Sequence, residues 1–254
     1  MTASDTSGDS LYELYVQPAL GEMIGTALFV LFVNLASAPS AVRATSYALI
    51  SALSLYVIRG FFRNIHRGYF NPAVSISQLL IRRLDAASAV AFVAVQFFGA
   101  FLGAAVFRAL MTDVLFLDYS YGTVIVLDEP NTITRSQGFF LEIILSSVIC
   151  LAYFYADGDD DNLRISSCWG ITSFFSISLI GQAGNLSLST ANALVYYLFT
   201  NDPTPTAYLY LNASAALIST AVSAGIWWLL RARTRQLPLK SPTSDVGSKA
   251  DLTA

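Results

Sequence analysis

The sequence predicts an all-α membrane protein: six transmembrane helices plus two re-entrant half-helices, related as an inverted 3+3 repeat. Three observations predict it. The chain is too apolar to be covered by one water-soluble core, six of its runs are long enough to cross a bilayer, and its two halves repeat one order of long and short apolar runs.

Composition sets the class. Of 254 residues, 55% are hydrophobic and only 12% are charged, and mean hydropathy is +0.57. A soluble domain carries roughly twice that share of charge. The net charge of -3 is segregated along the chain, and no basic stretch with interleaved aromatics points to nucleic acid. Cys150 and Cys168 both fall inside apolar runs and read as packing residues. The start of the chain is polar and acidic through Glu13, so no cleavable signal peptide is expected.

A span needs about 20 mostly apolar residues. The qualifying runs are 18–37, 45–62, 86–110, 138–156, 165–182 and 208–230. Two shorter runs, 72–81 and 186–198, are too short to cross alone and read as re-entrant segments. With the N-terminus inside, eleven Lys and Arg residues lie on the cytoplasmic side, among them Arg59, Arg63, Arg67, Arg82, Arg83 and Arg164. Only Arg43, Arg108 and Arg135 lie outside. That bias places both termini in the cytoplasm. The expected organisation is a polar N-terminus over 1–16, a channel domain over 17–231 with repeats near 17–110 and 137–231, and a disordered tail over 232–254. Segment 111–136 reads as an external loop, and 157–161 (DGDDD) as a solvated cytoplasmic turn rather than a cation site.

The repeat orders these parts. Gln17 and Glu22 open the first span, and Gln137 and Glu142 open the fourth at the same spacing. Thr26 and Ser146 follow each Glu one helical turn on, on the same face. Each half then runs span, span, short segment, span. Three spans per half invert one half relative to the other, a device that sets two broken helices tip to tip at the midplane.

The short segments begin at Asn71 and Asn185. Asn is a good helix cap, and Pro72 suits the first helical position because it has no N–H to leave unsatisfied. Asn71-Pro72-Ala73 therefore starts a half-helix, with the amide NH2 left free to donate into a pore. The helix N-terminus adds partial positive charge, which disfavours a cation. Glu22 and Glu142 are the only acids deep in spans. Each is expected to accept backbone N–H groups from the re-entrant loop of its own half. His66 lies near the inner mouth as a polar loop residue or pH gate.

The residues Glu22 with Thr26, the loop GYFNPAVS, the third-span stretch from Gln96 to Gly99, Gly103 and Ala104, and Gln137 with Glu142 resemble the aquaporin family of major intrinsic proteins over about 17–230. The resemblance implies six tilted spans around a pore, paired Asn-Pro-Ala motifs, a homotetramer, and conduction of water or small neutral solutes. It implies pore-lining carbonyls at Gly68, Tyr69, Phe70, Ala183 and Gly184, and a selectivity filter at Ser51, Ser173, Gln182 and Leu188.

The sequence departs from the family in its second loop. Leu186 and Ser187 replace Pro and Ala, and Leu188 replaces the pore Arg. The filter therefore lacks both its aromatic and its cation, and a wider, less cationic opening is expected. Ser189 and Ala193 match the water-selective branch instead, and the last span has lost a Gly-Pro near Ala213 and Ser214. Asn185 and Asn212 begin glycosylation sequons that membrane burial should leave unmodified.

Function is then a passive channel for water and small neutral solutes such as glycerol or urea, not an enzyme, and needing no cofactor. Its partners are those solutes and the bilayer, and the plasma membrane is the expected location. An ion-leaky channel and a non-conducting scaffold or adhesion protein on the same fold are the alternatives.

Overall fold

A computed structural model of the chain describes residues 11–37, 42–120, 127–128, 133–156, 161–181 and 184–234. Their helices are α1 (Gln17–Leu35), α2 (Arg43–Phe62), α3 (Pro72–Leu80), α4 (Ala86–Leu110), α5 (Asp113–Ser120), α6 (Arg135–Phe154), α7 (Asp161–Leu179), α8 (Leu186–Thr200) and α9 (Leu209–Thr234). No strand occurs among the described residues. Helix ends carry the signals expected of them. Asp85 caps α4 by accepting the Ser88 N–H at 3.0 Å. Thr134 and Gln137 form a reciprocal capping box on α6. Gln137 thus caps its helix, whereas Gln17 lies inside a continuous helix and caps nothing.

The contacts between helices respect the inverted repeat. α1 packs on α4 as α6 packs on α9, α4 meets α8 as α9 meets α3, and α2 crosses α7 at the axis relating the halves. Small residues allow these approaches. A Cβ added at Gly99 would lie 2.3 Å from the Met23 carbonyl oxygen, and one at Gly103 would lie 2.3 Å from that of Ala27. α4 therefore rides directly on the backbone of α1, the close packing that glycines four apart permit in membranes. On the other face α1 reaches α8, where Asn34 and Asn192 exchange two amide hydrogen bonds of 2.8 and 2.9 Å.

The exterior is rich in apolar side chains, while polar ones are buried inside beside an apolar core. Val90 is 71% exposed and Leu229 70%, while Glu22, Gln96 and Asn212 are at 0%. That is the distribution lipid demands, since hydrocarbon tolerates apolar side chains and internally satisfied backbone. Five helical stretches among the described residues are long and apolar enough to cross a membrane: Tyr12–Leu35, Arg43–Phe62, Ala86–Leu110, Arg135–Phe154 and Thr204–Arg231.

Three expectations change. The 165–182 span is instead α7, beginning at Asp161 and ending at Leu179, and its six Ser and Thr side chains from Ser166 to Ser178 lower its hydropathy below that of the others. The helix of the first span begins earlier than residue 17, through a π-helical turn at Tyr12–Val16. Segment 111–136 is not all loop, because α5 folds back over the bundle. There Arg108 bonds Asp113 and lies over the rings of Phe116 and Phe199 at 5.0 and 4.8 Å. Residues 1–10, 157–160 and 235–254, for which a polar N-terminus, an acidic turn and a disordered tail were expected, lie outside the described residues.

The α1–α4 contact gives a direct test. Gly99→Val or Gly103→Val lowers stability by about 1–3 kcal/mol or more through overpacking. Gly225→Ala, with nothing within 4 Å of the added Cβ, does not lower it. Heating the detergent-solubilised protein and following its folded fraction by size exclusion separates the two outcomes.

Candidate functional site

The half-helices α3 and α8 meet at their N-termini. Asn71 caps α3 by accepting the Ala73 N–H at 3.0 Å. Asn185 caps α8 by accepting the Ser187 N–H at 3.1 Å and the Leu188 N–H at 3.4 Å. Leu186 in place of Pro leaves that cap intact, and the Ser187 hydroxyl donates to the same oxygen at 2.9 Å.

Each asparagine also reaches across the junction. Asn71 Nδ2 donates to the Gly184 carbonyl and Asn185 Nδ2 donates to the Phe70 carbonyl, both at 2.8 Å. The NH2 groups are therefore not wholly free, as the sequence suggested. Each gives one N–H to the opposite loop and retains one. The carbonyls of Gly68, Tyr69, Phe70 and Gly184 are likewise already engaged. Tyr153 Oη donates to Gly68 at 3.0 Å and to Tyr69 at 3.3 Å. A carbonyl oxygen has two lone pairs, so each can still accept once more.

The loops reaching the junction take backbone shapes that need support. Gly68 has φ +64° and Gly184 φ +86°, a region glycine enters freely, and Phe70 has φ +48°, which a side chain disfavours. Buried carboxylates supply that support. Glu22 accepts the Tyr69 N–H at 2.7 Å, the Phe70 N–H at 2.8 Å and the Gln96 side-chain N–H at 2.8 Å. Glu142 accepts the Gly184 N–H with both oxygens, at 2.9 and 3.0 Å, and the Ser146 hydroxyl at 3.2 Å. Thr26 differs from Ser146, because its hydroxyl donates to the Glu22 carbonyl at 2.6 Å rather than to the carboxylate. A lone carboxylate at membrane depth is expensive, and these hydrogen bonds offset the cost.

His66 lies in the loop before Gly68, with its side chain turned inward. Its side chain is 4% exposed, its Nδ1 lies 3.0 Å from Glu22 Oε1, and Nδ1 accepts the Gly68 N–H at 2.8 Å. Phe62, Phe70 and Phe92 surround the ring. A Cβ at Gly21 would sit 2.4 Å from its Nε2, so the histidine lies against α1.

Two cavities adjoin the junction. A vestibule of about 910 Å³ is lined by Arg59, Arg63, His66 and Arg67 together with Tyr69, Tyr153 and Ile165. The last three also line a void of about 10 Å³ that contains Asn71 and Asn185. The wide mouth therefore narrows at Tyr69 and Tyr153 to the asparagines. Opposite them the wall is Phe29, Ile149 and Trp169.

Of the filter positions, Ser51 is buried and its hydroxyl donates to its own helix at the Ala48 carbonyl, 3.1 Å away. Ser173 is buried with its hydroxyl unpartnered. Leu188 is at 0% exposure, within the apolar core. Gln182 and Ala183 lie outside the described residues. Both sequon asparagines are inaccessible, Asn185 at 1% and Asn212 at 0% exposure. No cluster of three or more potential metal-ligating residues occurs among the described residues. Sequence reasoning missed Phe29, Tyr153 and Trp169. The available signal was a Trp one turn before Ser173 in a helix otherwise rich in serine.

The family model described as "Major intrinsic protein" matches residues 12–211. The chain is 32% identical to aquaporin-8 of Notomys alexis over 146 residues, 56% of this chain and 55% of that protein. It is 22% identical to aquaporin C of Dictyostelium discoideum over 250 residues, 93% of this chain and 88% of that protein. The aquaporin-8 match thus spans about half that relative's length. Among solved structures, the aquaglyceroporin of Plasmodium falciparum superposes with a TM-score of 0.70 at 19% identity, covering 87% of this chain and 98% of that one. That likeness shows a shared fold.

The carboxylates can be tested against each other. Glu22→Ala strips partners from two loop N–H groups and from Gln96, and lowers stability by about 3 kcal/mol or more. Among the described residues Glu142→Ala unpairs one loop N–H and the Ser146 hydroxyl, and it costs less. Thermal unfolding in detergent gives the order, and a larger loss at Glu142 would overturn the assignment.

Proposed function

Because the chain belongs to the major intrinsic protein family, whose aquaporins are membrane channels and not enzymes, we propose that it conducts water passively through the junction of α3 and α8. The smallest neutral solutes form the further permeant class. The observation that carries this reading is the pair of crossed Asn amides beside a void of about 10 Å³. That is about the volume one water needs.

The mechanism follows from the donors. A water oxygen entering from the vestibule can accept the remaining N–H of Asn71 and of Asn185. With its oxygen so engaged, its hydrogens point away along the passage. The N-termini of α3 and α8 add partial positive charge from both sides, which repels a cation while leaving a neutral molecule hydrogen-bonded. Carbonyls of Gly68, Tyr69 and Gly184 supply acceptors on either side.

The Lys and Arg distribution supports a cytoplasmic face for both termini and for the vestibule of Arg59, Arg63 and Arg67. The lipid-like exterior and the family resemblance support a homotetramer in the plasma membrane. A second reading draws on Leu188. Its apolar side chain stands where the family places a pore arginine, which leaves cation exclusion to the helix ends alone. Ionic current across a planar bilayer, abolished by Leu188→Arg, would establish that ion-leaky form.

Osmotic shrinkage of proteoliposomes tests the main reading. Wild-type vesicles shrink faster than empty ones. Asn71→Asp returns them to the empty-vesicle rate, because a carboxylate cannot donate to the Gly184 carbonyl and places a negative charge at the junction. Equal rates for wild-type and empty vesicles, with insertion confirmed, would refute the proposal.

A further inference from the structure

α7 carries a line of polar atoms that the protein leaves unbonded. Asn162 Oδ1, Ser166 Oγ, Trp169 Nε1 and Ser173 Oγ have no hydrogen-bond partner among the described residues. Their spacing of four, three and four residues puts them on one helix face. Ser166, Trp169 and Ser173 are 2%, 3% and 3% exposed. A buried donor or acceptor is normally satisfied, so each exception needs an explanation. Four along one stripe point to something polar moving past that stripe.

The stripe follows the passage. Asn162 lines the vestibule. Trp169 lines the void at the asparagines. Ser173 lies one turn further along α7. At the asparagines the wall is aromatic, since the Trp169 and Phe29 rings meet edge to face with centroids 5.1 Å apart and planes at 73°. The indole also stands against the loop that presents Asn185, where a Cβ at Gly184 would lie 3.8 Å from Trp169 Cζ3. Two interlocked rings yield less readily than a flexible aliphatic chain.

We infer that Trp169 is a specificity-determining residue of this passage: with Phe29 it sets the size limit at the level of the asparagines, and its indole N–H serves the permeant as a third donor. The inference rests on the channel reading above. It moves size selection away from Ser51, Ser173 and Leu188. Loss of bulk at those positions does not widen the route for solutes, because the limiting wall stands one turn inward on α7. The permeant class is water and neutral molecules of its cross-section, and glycerol is excluded.

The test uses the full chain in proteoliposomes, normalised to inserted protein, with water and glycerol fluxes measured by light scattering. Wild-type protein passes water and holds glycerol at the empty-vesicle rate. Trp169→Ala and Phe29→Ala each raise glycerol flux by about tenfold or more, the discrimination a packed apolar wall provides. Trp169→Phe keeps glycerol out but lowers water flux about two- to tenfold, the loss expected for one hydrogen bond. Phe29→Ala opens the same wall from the opposite side, so misfolding of one variant leaves the other to decide. Glycerol flux through the wild type, or none through either alanine variant while water still passes, would overturn the size assignment. Unchanged water flux in Trp169→Phe would overturn the donor role. Absence of wild-type water flux would instead overturn the channel reading itself.

Discussion

The structure depends on two helix N-termini being held face to face inside a bilayer. Such ends carry unsatisfied N–H groups and partial positive charge, and neither lipid nor a second positive end would keep them there. What holds them is the crossed pair of bonds from Asn71 to Gly184 and from Asn185 to Phe70. One side chain caps its own helix through oxygen and clasps the other loop through nitrogen. The amide is suited to this because it combines an acceptor and two donors in one short group.

Around that joint the protein places buried acids where it needs acceptors. Glu22 and Glu142 hold the loop N–H groups just before each asparagine. The two halves solve the problem unequally. Among the described residues the first adds Gln96 and the His66 ring around Glu22, while the second uses Ser146 and a carboxylate with both oxygens on the Gly184 N–H. The first half also keeps Pro72 at the start of its stub, whereas the second starts on Leu186 with the Ser187 hydroxyl added to the cap. Divergence in the second loop has thus altered the chemistry of the turn without dissolving the cap.

Much of this was legible in the chain. The spans follow from runs of apolar residues, and the half-helix starts follow from asparagines before short runs. The burial of Glu22 and Glu142 follows from their position within spans. The widened filter was read from Ser51, Ser173, Gln182 and Leu188. Ser51 turns its hydroxyl onto its own helix, Leu188 joins the apolar core, Gln182 lies outside the described residues, and the Trp169 and Phe29 rings line the void beside the asparagines. His66 was read as a polar loop residue or pH gate near the inner mouth; it does lie in the loop, and its neighbours in space are three phenylalanines and Glu22.

Sequence by itself determined the membrane class, the inverted repeat, the caps and the glycines that let α1 and α4 touch. Span lengths and caps act over a few residues or one helical turn, and the repeat is a comparison of such local patterns between the halves, so local pattern suffices. Only the tertiary structure decided which carbonyls receive the asparagine N–H groups, across 113 and 115 residues of chain, and which rings line the void beside them. Those contacts depend on how α2 and α7 cross and how far each loop reaches inward. These are quantities set by the packing of all the helices at once, which no single stretch of residues encodes.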